Sequence, residues 1–232
     1  MLHEETIKPG TLDLINQLMK DQQLNEFYLV GGTALALQIG HRESIDVDLF
    51  SVSAFDTGKL AEHLQRNYDA RISAQGNNSL KGNIQGVDID LVTHNYPFVK
   101  PIEPIQGIRM VSLEDIAAMK MNAIVNSGQR IKDFIDVHYL LKDMTCEQLL
   151  DHYCSKYPNV DANMGRSSLL YHKDIDFKVR VVLTDKSIRW KDMEKSLIKS
   201  VRQYDKLLES RQLFEKMQQV KQDRGKNQGL KP

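Results

Sequence analysis

Between residues 27 and 50 the chain changes its hydrophobic period twice, and this stretch limits the possible fold more than any other. Phe27-Tyr28-Leu29-Val30 is a short apolar run with the character of a buried strand, and it stops at Gly31-Gly32. Residues 33–39 suit a compact helix that Gly40 closes as a C-cap. From Ile45 to Phe50 apolar and acidic residues alternate, the pattern of a strand with one polar face. A strand, a diglycine turn, a short helix and an acidic strand in direct succession belong to an α/β sheet, not to a bundle or a sandwich.

On such a strand Asp46 and Asp48 project from the same face. Two carboxylates about 6–7 Å apart repel by roughly 2–3 kcal/mol at an effective dielectric near 20. Folding avoids that arrangement unless water screens it or a cation bridges it. Oxygen ligands of this kind suit magnesium or manganese better than zinc. Glycine lets a backbone approach a phosphate closely, and the free amides of a helix N-terminus favour an anion. Together these pieces predict a triphosphate held beside a divalent metal, the equipment of phosphoryl or nucleotidyl transfer. A lone diglycine is ordinarily just a turn, and a lone Asp-x-Asp a solvated strand face. Their joint occurrence at this spacing carries the prediction.

The remaining pattern extends the same architecture. Thr11 reads as the N-cap of a first helix with Leu12, Ile15, Leu18 and Met19 on one face. Residues 58–67 suit a helix, and strands are expected over 69–74, 79–85 and 87–93, separated by turns at Gly76-Asn77-Asn78 and Gly86. After the proline-containing segment 97–104 the character becomes helical. Ser112 opens a helix to about residue 126, a second spans 130–141, and Thr145 with Gln148 caps a third that ends before Pro158. Met193, Leu197, Val201, Tyr204 and Leu208 form one stripe of a long final helix. The expected fold is α/β (α+β): a mixed β-sheet with flanking helices over 1–95, then a helical half over 96–222 that completes the active-site cleft. Residues 223–232 are polar and are expected to be a disordered tail.

Composition excludes several classes. The formal net charge is zero, so no global basic field marks a nucleic-acid binder, and only a local patch is left for that role. The terminal stretch 216–231 is mildly basic with interleaved acids, and a solvated helix is its default reading. No apolar run reaches the length of a membrane span, and Met1 to Gly10 lacks the core of a signal peptide. Cys146 and Cys154 cannot complete a zinc site alone and read as helix packing. A cytoplasmic location without a membrane partner is the expectation. The seven histidines are scattered; His94 and His138 read as packing or surface residues, and His41 stands beside Arg42.

The diglycine turn followed by Asp-x-Asp resembles the signature of the DNA polymerase beta-like nucleotidyltransferase superfamily. More closely, Gly31-Gly32-Thr33 with Arg42, Ser44, Asp46, Asp48, Leu49 and Phe50 resembles the AbiEii/AbiGii toxin family. The resemblance implies metal ligands at Asp46 and Asp48 and a nucleotide-phosphate turn at Gly31, Gly32 and Thr33, with Arg42 and Ser44 beside it. It also implies a third carboxylate on a neighbouring strand, where Asp90 is preferred and Asp88 is the alternative. That group would act as general base toward a hydroxyl or ligate a second metal. Met119-Lys120 with Ala123, and Arg130 through Lys132 and Asp133 to Asp136, resemble the family's lysine helix and its Arg-x-Lys-Asp-x-x-Asp helix. Lys120 would reach the triphosphate as a point charge, with Lys132 and Asp133 closing the nucleotide site and Asp133 orienting Lys120. A surface ion-pair set is the alternative for Lys120, Lys132, Asp133 and Asp136. The resemblance spans about residues 27 to 140.

The implied reaction is transfer of a nucleoside monophosphate from an NTP to a hydroxyl, with Mg2+ or Mn2+ as cofactor. The acceptor would be RNA or protein, and a toxin arrangement would add an antitoxin protein as partner. Two rivals stay open: an inactive relative that only binds NTP or a partner, and a phosphotransferase on the same fold.

Overall fold

The computed structural model describes residues 1–228, with side chains described through residue 219. The strands β1 (Tyr28–Val30), β2 (Val47–Ser51), β3 (Arg71–Gly76), β4 (Ser79–Ile84) and β5 (Val87–Thr93) form one mixed sheet in the order β1-β2-β5-β4-β3. β2 and β5 are parallel neighbours at its centre, and the other pairs are antiparallel. The link between β4 and β5 is a tight hairpin. Gln85 and Gly86 both take positive φ, 53° and 87°, which suits the two-residue turn and ends β4 one residue earlier than its pattern implied.

The helices follow their capping chemistry. α1 (Pro9–Lys20) starts at Pro9, whose fixed φ suits the first helical position, so Thr11 lies buried inside the first turn and is not the cap. α2 (Gly31–Ile39) starts at the diglycine itself and ends at Gly40 with φ +66°, the left-handed cap the sequence announced. Asp56 accepts from the backbone amides of Gly58 and Lys59 to start α3 (Thr57–Tyr68). Ser112 caps α4 (Leu113–Asn126), which is followed by α5 (Ile131–Leu140). A full capping box between Thr145 and Gln148 opens α6 (Cys146–Lys156).

β3 lies two residues later than the expected 69–74, and in the helical half two elements also differ from expectation. α7 (Ala162–Ser168) is short and polar, without an apolar stripe to announce it; it is capped by Asp161 and held by close packing, since a Cβ on Gly165 would stand 2.9 Å from Leu150 Cδ2. α8 (Trp190–Gln228) buries Met193, Leu197 and Val201 as expected, while Tyr204 and Leu208 are only half-buried. It continues as helix through 223–228, where a disordered tail was expected; positions 229–232 of that tail lie outside the described residues.

One hydrophobic cluster runs through both halves of the chain, from Leu14 and Leu18 through Leu49 and Leu91 to Phe134, Leu149 and Leu197. The backbone of Leu29 bonds to Arg109 and Val111 across the expected boundary near residue 95, so α/β and helical halves share a core. That shared core fixes α4 and α5 against the edge of the sheet where β1 meets α2. Among the described residues no helix is long and apolar enough to cross a membrane.

Candidate active site

The parallel register of β2 and β5 sets Asp48 directly beside Asp90. Along β2, buried Val47 and Leu49 alternate with half-buried Asp48 and Phe50, so the acidic face is the one turned away from the core. Asp46 is half-buried and stands one residue ahead of β2 on the same alternation. The diglycine is required by these side chains. Gly31 has φ +71°, and a Cβ there would collide with the Asp48 carboxylate; a Cβ on Gly32 would run into the guanidinium of Arg42. Thr33 donates its hydroxyl to Ser44 Oγ at 2.9 Å and also reaches the carbonyl of Asp46. Thr33 and Ser44 are both buried, and they lace the first turn of α2 to the segment that delivers the carboxylates.

A cleft of about 460 Å³ opens over this face, lined by Gly31, Gly32, Asp48, Phe50 and Asp90 on the sheet side and by Lys120, Arg130 and Asp133 opposite. Val30, the residue ahead of α2, offers no side-chain cap, so the helix presents its first amides uncapped by any side chain. Burial pushes the Asp48 carboxyl above its ordinary range; Lys120 opposes that rise, and neighbouring Asp90 and Asp46 add to it. Asp90 bonds Lys81 Nζ at 2.6 Å through Oδ2, while its Oδ1 is buried without a hydrogen-bond partner. A buried acceptor with no donor is unfavourable for folding and marks a group that awaits something.

The structure separates the remaining acids. Asp46 lies within the field of Asp48 but lines a neighbouring depression together with Asp88, outside the main cleft. Asp88 is exposed and accepts from Asn83 at 2.7 Å, and of these two candidates it is Asp90 that lines the cleft. Among the described residues no three His, Cys, Asp or Glu side chains converge as a ready ligand cage. Two strand-paired carboxylates with an unsatisfied oxygen nevertheless fit magnesium, which is commonly held by one or two carboxylates, waters and substrate phosphates.

Behind the cleft lies a buried charge network. Arg42 donates to Asp136 through Nε at 2.7 Å and Nη2 at 2.9 Å, and through Nη1 to the carbonyl of Glu43. Lys120 Nζ bonds Asp133 at 2.8 Å and Asp136 at 2.7 Å, and His41 Nε2 bonds Asp136 at 2.7 Å. Burial alone would raise the Asp136 carboxyl, but Lys120 and Arg42 beside it hold it well below the usual carboxylate range. Arg42 is thus placed behind the diglycine with its donors committed, not in the cleft. Lys120 lines the cleft with its ammonium bound to two acids, Asp133 and Asp136. The surface ion-pair alternative does not hold for Lys120, Asp133 and Asp136, which are all buried. Lys132 is not in the cleft wall; Arg130 is, with a side chain 67% exposed and one long contact of 3.5 Å to Asp133.

Among the cleft residues that the sequence reading did not assign to the site are Phe50, His94 and Tyr157. Phe50 was legible in principle, since it sits two positions beyond Asp48 on the same strand face. His94 stacks on Phe50 at 4.9 Å between ring centroids, and its Nε2 lies 3.1 Å from the Tyr157 hydroxyl. Burial, with help from Lys156, lowers the His94 pKa to about 4, so the ring is neutral at ordinary pH.

Comparison with known proteins bears on the family and the fold. The family described as nucleotidyl transferase AbiEii toxin, type IV toxin–antitoxin system, matches residues 13–100 and 68–214. An uncharacterized protein of Aquifex aeolicus (strain VF5) is 30% identical over 186 residues, covering 78% of this chain and 88% of that protein. Among solved structures, a proposed nucleotidyltransferase from Helicobacter pylori superposes with a TM-score of 0.52 at 17% identity, covering 88% of this chain and 98% of its own. MenT4, a nucleotidyltransferase toxin from Mycobacterium tuberculosis H37Rv, does so with a TM-score of 0.53 at 14% identity, covering 84% of each chain. At these identities the two structures attest the fold.

Proposed function

The chain belongs to the AbiEii nucleotidyl transferase toxin family, and from that premise we propose that it moves a nucleoside monophosphate from an NTP to a hydroxyl of RNA, in a cleft built around Asp48 and Asp90. The observation that carries the reading is the pairing of these two carboxylates across β2 and β5, with Asp48 pushed up by burial and Asp90 left with an unbonded oxygen, beside the uncapped start of α2. Asp48 and Asp90, with Asp46 at the edge, would hold magnesium or manganese. Such an ion supplies charge neutralisation to the phosphates and to the attacking oxygen.

The chain's own residues do the positioning. The amides at Gly31 and Gly32 face the phosphates, and the largely exposed Arg130, with one long contact to Asp133, reaches them from the opposite wall. Lys120, pinned by Asp133 and Asp136, acts as a fixed positive charge near Asp48 and does not swing. Asp90 takes the proton of the acceptor hydroxyl. The hydroxyl oxygen forms a bond to the α-phosphorus, the bond from that phosphorus to the bridging oxygen breaks, and pyrophosphate leaves. Thr33, Ser44 and Arg42 support the turn from behind.

RNA is favoured over protein as acceptor by one surface feature. Lys191, Lys195, Lys199, Arg202 and Lys206 are exposed along one face of α8 and have no ion-pair partner among the described residues. The acids between them are engaged elsewhere: Asp192 with Arg189, Glu194 with His172 and Asp205 with Arg166. Cations that recur about every 6 Å along a helix suit a linear polyanion.

Incubation of the protein with magnesium, total RNA, protein extract and each α-labelled NTP tests the reading. Label is expected in RNA and is expected to vanish with Asp48→Asn. Label from γ-labelled NTP instead would identify a phosphotransferase, and no transfer to any acceptor would leave a binding protein. A toxin role predicts that expression arrests growth and that a partner protein relieves the arrest.

A further inference from the structure

Along the floor of the cleft, β2 and β5 change chemistry in register. Asp48 pairs with Asp90, and one pleat repeat further, about 7 Å along the strands, Phe50 pairs with Val92 on the same face. The next element along that line is His94, stacked on Phe50 at 4.9 Å with ring planes 30° apart. His94 is itself buttressed. Tyr96 lies 4.8 Å from its ring, the Tyr157 hydroxyl meets its Nε2 at 3.1 Å, and Tyr96 and Tyr157 pack edge-on at 4.8 Å. Phe50 remains half-buried with its side chain in the cleft wall, so this platform has an open side.

The order of groups from the turn outward is therefore backbone amides, paired acids, then a flat apolar surface. A nucleoside triphosphate has the same order: anion, ribose, ring. The neutral state of His94 at ordinary pH keeps this end free of a charge that would draw the triphosphate away from the acids. We propose that Phe50 and His94 form the platform on which the base of the donor nucleotide stacks, with Tyr96 and Tyr157 as positioning residues that hold His94. The inference rests on the donor-site reading above. Stacking is tolerant of base identity because every base has a π-face, so the platform selects for a base without strongly selecting among the four.

Calorimetric binding in magnesium of a non-hydrolysable NTP analogue and of inorganic tripolyphosphate, which has no base, tests the assignment on the full chain. Wild type is expected to bind the analogue about 10- to 100-fold more tightly than tripolyphosphate. Phe50→Ala is expected to erase most of that difference while leaving tripolyphosphate binding unchanged, which also shows that the variant is folded. Phe50→Tyr, which keeps a flat ring, should preserve the difference, and Phe50→Leu, which keeps bulk without a ring, should lose it even if the alanine variant fails to fold. An unchanged ratio in Phe50→Ala or Phe50→Leu, or a wild type that binds both ligands equally, overturns the proposal. A wild type that binds neither ligand defeats the donor-site reading beneath it, and that outcome is distinct.

Discussion

Two pairs of aspartates flank the same lysine, and the chain treats them in opposite ways. On α5, Asp133 and Asp136 are matched cation by cation: Arg42 forks onto Asp136, Lys120 bridges both, and His41 adds a further bond. On β2 and β5, Asp48 and Asp90 face a cleft with a single direct ion-pair partner between them among the described residues, the largely exposed Lys81. Chemically identical groups are thereby driven apart, Asp136 well below its ordinary pKa and Asp48 above it. Environments that separate like groups in this way sort scaffold from site. The helical pair holds the two halves of the fold together; the strand pair is left facing the cleft with one acid oxygen unbonded.

The contrast is broken most severely by neutralising one member of each pair. Asp48→Asn should lower nucleotidyl transfer about 10³-fold, a barrier increase of roughly 4 kcal/mol, with the circular-dichroism spectrum unchanged. Retained transfer would place the chemistry elsewhere. Asp136→Ala should instead cost about 3–5 kcal/mol of stability in urea unfolding, because it strands the buried Arg42 guanidinium and leaves buried Lys120 with Asp133 as its acid partner. A loss below about 1 kcal/mol would mean that water reaches the network.

The pH dependence sharpens the same comparison, with opposite signs for the two groups. The lowered pKa of Asp136 gives stability that is fully present above its ordinary value of 3.8 and is lost as pH falls below it. The raised pKa of Asp48 gives stability present below 3.8 that is lost as pH rises through the folded value. Unfolding free energies should therefore show Asp136→Asn flattening the acid limb and Asp48→Asn flattening a decline above it. Identical pH profiles for both variants and wild type would remove the distinction. The smallest effect belongs to Lys81→Ala, which should change stability by no more than about 0.5 kcal/mol, since its side chain is 59% exposed. It should also tighten divalent-ion binding, because it frees Asp90 Oδ2; weaker binding would assign Lys81 a supporting role.

Local periodicity made one side of this contrast readable in advance. Alternation from Ile45 to Phe50 and again over Val87 to Thr93 fixes which strand faces carry acids, and the glycines mark where α2 begins and ends. The paired register of Asp48 with Asp90 depends on a parallel crossover, which no local pattern encodes. The other side was hidden by distance. Arg42 meets Asp136 across 94 positions, so a motif arginine expected at the phosphates turns out to be a buried tie between halves. The diglycine was read as a point where the backbone approaches a phosphate, whereas the close neighbours seen at Gly31 and Gly32 are the side chains of Asp48 and Arg42. Lys132 and Arg130 share one motif, and only the start of α5 in three dimensions decides that Arg130 faces the cleft. α7 has no apolar stripe to announce it, and the helical course of α8 past residue 222 overrides a polar composition that reads as a tail.

Thermal unfolding during a manganese titration probes the unmatched carboxylates most directly. Wild type should gain stability steadily with added ion, while Asp48→Asn should begin about 1 kcal/mol more stable without metal and stay where it began. Equal gains in both proteins, or a variant that starts out less stable than wild type, would contradict the assignment of Asp48 and Asp90 as the place where the ion is held.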